Sequence, residues 1–561
     1  MKRCFLGLVV GITLICCNTH KQQTNNNEEE TVSEVIDDNI PFRWESANLY
    51  FLLVDRFYNG DPSNDINFSR TQETGVLRGF EGGDIKGITQ KIKEGYFTQL
   101  GVNAIWLSPI VEQIHGATDE GTGNTYGFHG YWTKDWTTID PNFGTEDDLR
   151  ELVATAHEHG IRIVLDAVIN HTGPVTDEDI QWNPEWVRTE PKCSFQDYEG
   201  TVKCTLVDNL PDIKTESKTN VELPSELVKK WKAEGRYEQE LEELNQFFER
   251  TGYPRAPQYY IIKWLTDYIV EYGIDGYRAD TVKHVDEWVW YEFQRECKHA
   301  FNVWKQQNDG SVLDDNDFYL VGEVYSYGIS SGKQFDFGDR KVNYFENGFD
   351  GLINFELKSD AAKMDYESLF AKYHNSLYGD LKGKQILNYL SSHDDGSPYD
   401  RERKNPYRAA NILLLTPGTS QIYYGDESAR KLSVPGANGD ANLRSFMNWD
   451  EIKSESKTQK IMEHWGALGR FRKHHPAVGA GVHQMLSEEP YVFERILESG
   501  NVNDVVVVGL DLDKELKSIP VGTSFKEGDM LIDSYSGKEA KVQNGMVEFV
   551  SDFQTVLLSK K

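Results

Sequence analysis

The 561-residue sequence predicts a closed (β/α)8 barrel, with a subdomain inserted after the third strand and an all-β domain at the C-terminus. Three observations carry that reading. From about residue 43, short apolar runs alternate with amphipathic stretches, the pattern of parallel strands covered on both faces by helices. The alternation breaks after His171 and resumes near Gln258, an interval too long for a simple strand-to-helix loop. Beyond about residue 480 the texture changes to short alternating runs separated by turn residues, as in an all-β domain.

The elements follow in chain order. "MKRCFLGLVVGITLICCN" has a basic start and an apolar run of signal-peptide length, so residues 1–17 read as a leader outside the fold. Residues 18–42 are polar and of low complexity, a flexible tether. Eight strand candidates come next: "NLYFLLVDRF", "VNAIWLSP", "IRIVLDAVIN", "IDGYRAD", "FYLVGEVY", "GLINFEL", "QILNYLSSHDD" and "TSQIYYGDE". Amphipathic segments such as "TEDDLRELVATAHEHG" and "QYYIIKWLTDYIVEYG" supply the helices between them. Eight such units suggest closure into a barrel spanning 43–480; a doubly wound open sheet is the alternative at this level. Residues 172–257 form the inserted subdomain, whose stretch "SELVKKWKAEGRYEQELEELNQFFERTG" reads as a charged, solvated helical face. Residues 481–561, with "YVFERI", "VNDVVVVGLDL" and "GMVEFV", form the terminal domain, expected to be a β-sandwich.

Composition narrows the function. The formal net charge of −31 argues against nucleic acid and other polyanions as partners. Aromatic residues at 12% suit surfaces that grip rings such as sugars. After the leader no apolar stretch is long enough to span a bilayer. Cys193 and Cys204 flank a loop-like stretch and can pair in an oxidising compartment, or stand as two thiols. Cys297 lies in a helical pattern and reads as core.

The strands share an ending. Asp166 closes the third, Asp280 the fourth and Glu323 the fifth, and His393 with Asp394 follows the seventh. In a barrel these ends converge on one rim, where the active sites of this architecture lie. One acid after a strand is ordinarily a turn or cap residue. Four of them repel one another when gathered together, and with Arg278 in their midst they mark a site.

These residues resemble glycoside hydrolase family 13, the α-amylase family, from about residue 45 onward. "DAVINH" at 166–171, "GYRADTVKH" at 276–284, "GEV" at 322–324 and "SHDD" at 392–395 occur in the family's order, with "LPDI" at 210–213 before the second. The resemblance implies Asp280 as nucleophile, Glu323 as general acid/base and Asp394 as the third carboxylate, which binds sugar hydroxyls. Arg278 would stand beside Asp280. His129, Tyr131, His171 and His393 match residues around the reacting sugar, and Lys283 and His284 match residues on the leaving-group side. The chemistry asks for these types: one carboxylate traps the anomeric carbon while an acid on the other face protonates the departing oxygen. A nearby Arg278 favours an ionised nucleophile, and like charges with partial burial keep the acid protonated.

The resemblance also implies calcium. Asn170, Asp212 and the carbonyl of His284 match the family's structural site, and oxygen ligands from distant segments are what a hard cation takes. A second candidate set is Asn59, Asp61, Asn64, Asp65, Gly82 and Asp84, in "NGDPSND" and "GGD"; an Asx-rich turn is the plain alternative. "LICC" is similar to a lipoprotein signal, with Cys17 acylated, although Cys16 stands where Gly, Ala or Ser is usual; a plain secretory signal is the alternative. The expected enzyme is a monomeric α-amylase of the cell envelope, an outer-membrane or surface lipoprotein touching the membrane through its anchor alone, or otherwise secreted. It would act with retention on starch, glycogen or maltooligosaccharides. A family transglycosylase or cyclomaltodextrinase is the nearer alternative, and a non-catalytic glycan-binding lipoprotein the more distant one.

Overall fold

The computed structural model describes residues 41–119 and 121–561; the leader, Cys17 and nearly all of the tether lie outside them. Eight parallel strands close into a barrel: β1 (Asn48–Leu52), β2 (Ala104–Leu107), β3 (Arg162–Ala167), β4 (Gly276–Ala279), β5 (Tyr319–Gly322), β6 (Gly351–Asn354), β7 (Gln385–Asn388) and β8 (Thr419–Tyr423). Each pairs with its neighbours in sequence, and β1 closes the ring against β8. All eight fall within the runs expected to be strands. Apart from Gln385 their residues are buried, because helices cover the outside and side chains fill the inside.

Local chemistry fixes the helices around them. Thr145 caps Glu146–Glu158 through a reciprocal bond with Asp148, which satisfies two donors that a helix start leaves open. Pro257 begins Pro257–Tyr272, where a missing amide costs nothing. Gly273 ends that helix in the left-handed region at φ 73°, a conformation that glycine adopts without strain.

The region between β3 and Pro257 holds the short strands Val187–Arg188 and Asp212–Ile213 and a disulfide between Cys193 and Cys204, with Cα atoms 4.9 Å apart. Its charged stretch is two helices, Ser225–Glu234 and Tyr237–Thr251, divided at Gly235 with φ 76°. One side of this pair is not solvated. Trp231 is buried, and Lys230 reaches Glu112 and Asp135 at 2.5 and 2.6 Å. Both acids lie on an antiparallel hairpin between β2 and β3, Val111–Gln113 with Thr133–Ile139, which the period-2 pattern did not reveal.

After the short helix Ala477–Ala480 come eight strands: β9 (Val482–Ser487), β10 (Tyr491–Ser499), β11 (Val502–Leu510), β12 (Glu515–Pro520), β13 (Met530–Asp533), β14 (Lys538–Lys541), β15 (Met546–Ser551) and β16 (Val556–Lys560). Six form one sheet in the order β9-β10-β11-β16-β13-β14, and β12 pairs with β15. Val492, Val507, Leu531 and Leu558 of the larger sheet share a core with Ile519 and Val547 of the smaller, so the two sheets pack face to face.

Buried Arg495 joins this domain to the barrel, beside buried Arg472, whose own bonds lie within the barrel. Arg472 donates to the carbonyls of Leu414, Thr416 and Gly418, and Arg495 of β10 to those of Leu415 and Val478. Several of these carbonyls end the helix Pro406–Leu415, where unpaired acceptors and the negative end of the helix dipole favour a cation. Among the described residues no carboxylate forms an ion pair with either guanidinium. Arg495→Met should therefore strand buried carbonyls and lower stability by about 2–4 kcal/mol in chemical denaturation. An unchanged midpoint would show that the arginine does not hold the domains together.

Candidate active site

The ends of β3, β4 and β5 assemble around one guanidinium. Arg278 Nη1 lies 2.7 Å from Asp280 Oδ1 and 3.0 and 3.1 Å from the two oxygens of Asp166, while Nη2 lies 3.0 Å from Glu323 Oε2. The backbone brings these groups together. Arg278 pairs in register with Asp166, and Ala279 with Gly322, so Asp280 and Glu323 leave neighbouring strands side by side. All four residues are buried.

Three carboxylates and one cation leave negative charge uncompensated, and protons answer it. Burial, reinforced by Asp280 and Asp394, holds the Glu323 carboxyl well above the usual range against the pull of Arg278. Burial and Asp280 also raise Asp166. Its oxygens nevertheless accept from Trp106 Nε1 at 3.1 Å, from the Tyr131 hydroxyl at 2.8 Å and from Arg278. That many donors favour the ionised form of Asp166. Glu323 Oε2 accepts from Arg278 and from the Thr281 amide at 2.9 Å, which leaves Oε1 to carry a proton. Thr281 sits in the left-handed region at φ 48°, a strained place for a β-branched residue, and that geometry turns its amide toward Glu323.

The sugar-facing residues expected from the sequence surround this group. Tyr131 stacks on His393 with ring centroids 5.1 Å apart and lies nearly parallel to His129 at 5.9 Å. His171 Nε2 bonds the Tyr131 carbonyl at 3.1 Å. Burial pulls His129, His171 and His393 below the ordinary histidine value, so all three are neutral imidazoles at neutral pH. Asp394 opens toward solvent, its side chain 36% exposed. The surrounding walls still raise its carboxyl by desolvation, with Asp395 adding to the effect.

Lys283 lies between the rings of Tyr325 and Phe195, at 5.1 and 5.9 Å, and both rings are about half exposed. Burial lowers its ammonium pKa against the attraction of Glu323. His284 is buried, its ring bonded to the Thr201 carbonyl of the inserted subdomain at 2.9 Å.

The candidate ion ligands divide. Asn170 and Asp212 meet, with Asn170 Nδ2 and Asp212 Oδ1 buried and making no hydrogen bond of ordinary geometry. Desolvation pushes Asp212 up to about 7. In the other set Asn59 Nδ2 bonds Asp65 at 2.8 Å, and a side chain on Gly82 would collide with both. The Oδ1 atoms of Asn59 and Asn64 are also buried and unpartnered. Asp61 instead pairs with Lys86 at 2.6 Å, and Asp84 caps the helix Ile85–Lys93 through the Gly87 amide at 2.6 Å. Among the described residues no three His, Cys, Asp or Glu side chains gather as a metal site, so each set would join a carboxylate, Asp212 or Asp65, to amide and carbonyl oxygens.

A family model described as "Alpha amylase, catalytic domain" matches residues 51–478. The chain belongs to the alpha-amylase family. A periplasmic alpha-amylase of Escherichia coli (strain K12) is 35% identical over 84% of this chain and 73% of its own length. A cyclomaltodextrinase of a Bacillus species is 26% identical over 84% of this chain and 74% of its own. The solved alpha-amylase of Geobacillus thermoleovorans, complexed with acarbose, shares the fold with a TM-score of 0.64 at 23% identity, covering 93% of this chain and 99% of that one. This membership makes the protein a glycoside hydrolase.

Several groups at the alpha-amylase site were not assigned a role from sequence. Asp166 was visible as the acid that ends β3, but its bonds to Arg278 needed the register. Trp106 lay in a strand run that signals only burial. Arg444 donates to the His393 carbonyl at 2.9 Å from a loop that follows β8, and it left no sequence signal. The raised Glu323 carboxyl has a kinetic consequence. With Glu323 read as the general acid, its protonated form is the active one, so kcat/KM should hold above the range where a free glutamic acid, of pKa about 4.3, is already ionised, and fall only as pH passes Glu323's own value. A pH–rate profile whose alkaline limb sits at the ordinary glutamate value would contradict the geometry.

Proposed function

We propose that this alpha-amylase-family chain is a retaining endo-hydrolase of α-1,4-glucosidic bonds in starch, glycogen or maltooligosaccharides. The observation that carries the reading is the shared guanidinium, which binds Asp280 through one nitrogen and Glu323 through the other. Neighbouring strands lie roughly 4.7–4.9 Å apart, close to the roughly 5–5.5 Å between the carboxyl groups of retaining enzymes. Glu323 gives its proton to the departing glycosidic oxygen while Asp280 attacks the anomeric carbon from the other face. Glu323 then takes a proton from water, which releases the sugar from Asp280 with its configuration kept. Asp394, His129 and His393 bind hydroxyls. Neutral imidazoles suit a neutral polyol, and Tyr131 offers a ring face to the pyranose. The disulfide supports an oxidising compartment and an exported enzyme.

Glu323→Gln should lower kcat on soluble starch by roughly 100- to 10,000-fold without loss of folding, and NMR of the first wild-type product should show the α-anomer. An undiminished variant or a β-product would refute the mechanism. The cyclomaltodextrinase relative supports a second reading, in which cyclodextrins are opened faster than amylose; comparing initial rates on a cyclodextrin and on amylose separates the two.

Calcium would be held by Asn170, Asp212 and the His284 carbonyl, which join the barrel to the subdomain, and at the second set by Asn59, Asn64 and Asp65. Asp212 Oδ1, buried without a hydrogen bond of ordinary geometry, supports this, since a buried carboxylate wants a cation. The ion would fasten the two parts together. Chelation should lower the thermal midpoint and added calcium restore it, a stabilisation of about 2.7 kcal/mol at a hundredfold excess over Kd. Asp212→Asn should lose most of that response. Identical melting with chelator and with calcium would refute both sites.

A further inference from the structure

Asp394 does little to hold itself. Ser392 Oγ approaches its Oδ1 at 3.3 Å and His393 Nδ1 stands at 3.7 Å. Its two sequence neighbours are held far more firmly. On one side the His393 carbonyl takes the bond from Arg444. On the other, Asp395 Oδ2 accepts from the Tyr389 hydroxyl at 2.6 Å and from Lys358 Nζ, while Oδ1 accepts from the Ser397 amide at 3.0 Å. The side chains of Lys358 and Asp395 are only 18% and 10% exposed. Lys358 comes from the short helix Leu357–Ala361 after β6, and Tyr389 directly follows β7. The loop carrying Asp394 is thus pinned to two separate elements through the side chain next to it.

We propose that Lys358, Asp395 and Tyr389 are a positioning triad, fixing the Asp394 carboxylate over the reacting sugar and containing the negative charge of Asp395 beside it. The inference rests on the reading of Asp394 as the third carboxylate. Asp394 is faced by Arg278, Arg444, His393, Glu323 and Asp395. Asp395 is faced by Lys358 and Tyr389, which hold its carboxyl below the usual range although burial works the other way. Without the ammonium of Lys358, Asp395 stands as an uncompensated charge two carboxyl groups deep in the site, and the protons on Asp394 and Glu323 bind more tightly.

The test compares Lys358→Met, Lys358→Arg, Asp395→Asn and the double variant Lys358→Met/Asp395→Asn with wild type on maltoheptaose, each checked for folding by thermal unfolding. Lys358→Met should lose about 10- to 100-fold in kcat with KM changed less than about threefold. Its alkaline limb should move up by about half a pH unit, because an added negative charge raises carboxyl pKa values. Lys358→Arg should keep most of the activity. Asp395→Asn should move the limb down, and the double variant should return it to its wild-type position. A Lys358→Met enzyme with kcat within about twofold of wild type, or one that is slower with its limb unmoved, overturns the proposal, since packing alone changes rate and leaves the limb in place. Should wild type cleave no α-glucan, the reading under Proposed function fails. The triad is then judged by the crystal structure of Lys358→Met, where a displaced Asp394 carboxylate supports it and an unmoved one overturns it.

Discussion

The guanidinium of Arg278 is the constraint on which the rest of the site depends. Asp166, Asp280 and Glu323 converge because three adjacent parallel strands end at the same level. Buried carboxyl groups so arranged repel one another, and each is costly to desolvate. One planar cation with donors pointing in several directions answers all three. Lysine, a compact point charge, has no comparable fork. The residual imbalance raises the Glu323 carboxyl, whose Oε2 is taken by Arg278 and the Thr281 amide. On the function proposed above, an electrostatic problem created by barrel closure supplies the division of labour that acetal hydrolysis requires.

The surrounding layers serve that division in different ways. Trp106 and Tyr131 spend their hydrogen bonds on Asp166, so the acid beneath the site stays an acceptor and Arg278 stays in place. Buried histidines, kept neutral, offer hydrogen bonds without further charge. Thr281 accepts a strained backbone so that its amide can meet Glu323, the kind of local cost that functional sites carry. The inserted subdomain meets the barrel where the Thr201 carbonyl receives the His284 ring. The disulfide between Cys193 and Cys204 braces the loop that carries Thr201.

Much of this was legible in the sequence because strand ends are short-range features. Asp166, Asp280 and Glu323 each follow an apolar run, and a parallel barrel has only one rim to bring them to. The eight strands were readable for the same reason, since burial on both faces leaves continuous apolar runs. What lay hidden depends on contacts between distant segments. No periodicity links Arg444 to the carbonyl of His393, or Lys358 to Asp395. The charged helices looked solvated because Lys230 and Arg236 find their acids on a hairpin about a hundred residues earlier, Asp135 among them. The Asp61 and Asp84 side chains, expected as ion ligands, also meet Lys86 and a helix start, contacts that composition does not reveal.

The most direct test of the central claim is to trap the covalent intermediate. Incubation with an activated fluorinated maltosyl fluoride, followed by mass spectrometry of the digested protein, reports which carboxylate bonds the anomeric carbon. The account predicts a glycosyl adduct on Asp280, and the same adduct, longer-lived, in Glu323→Gln, because fluoride departs without an acid while hydrolysis of the adduct loses its base. An adduct on Glu323 or Asp394, or an enzyme that turns over the reagent with inversion and no adduct, would contradict it.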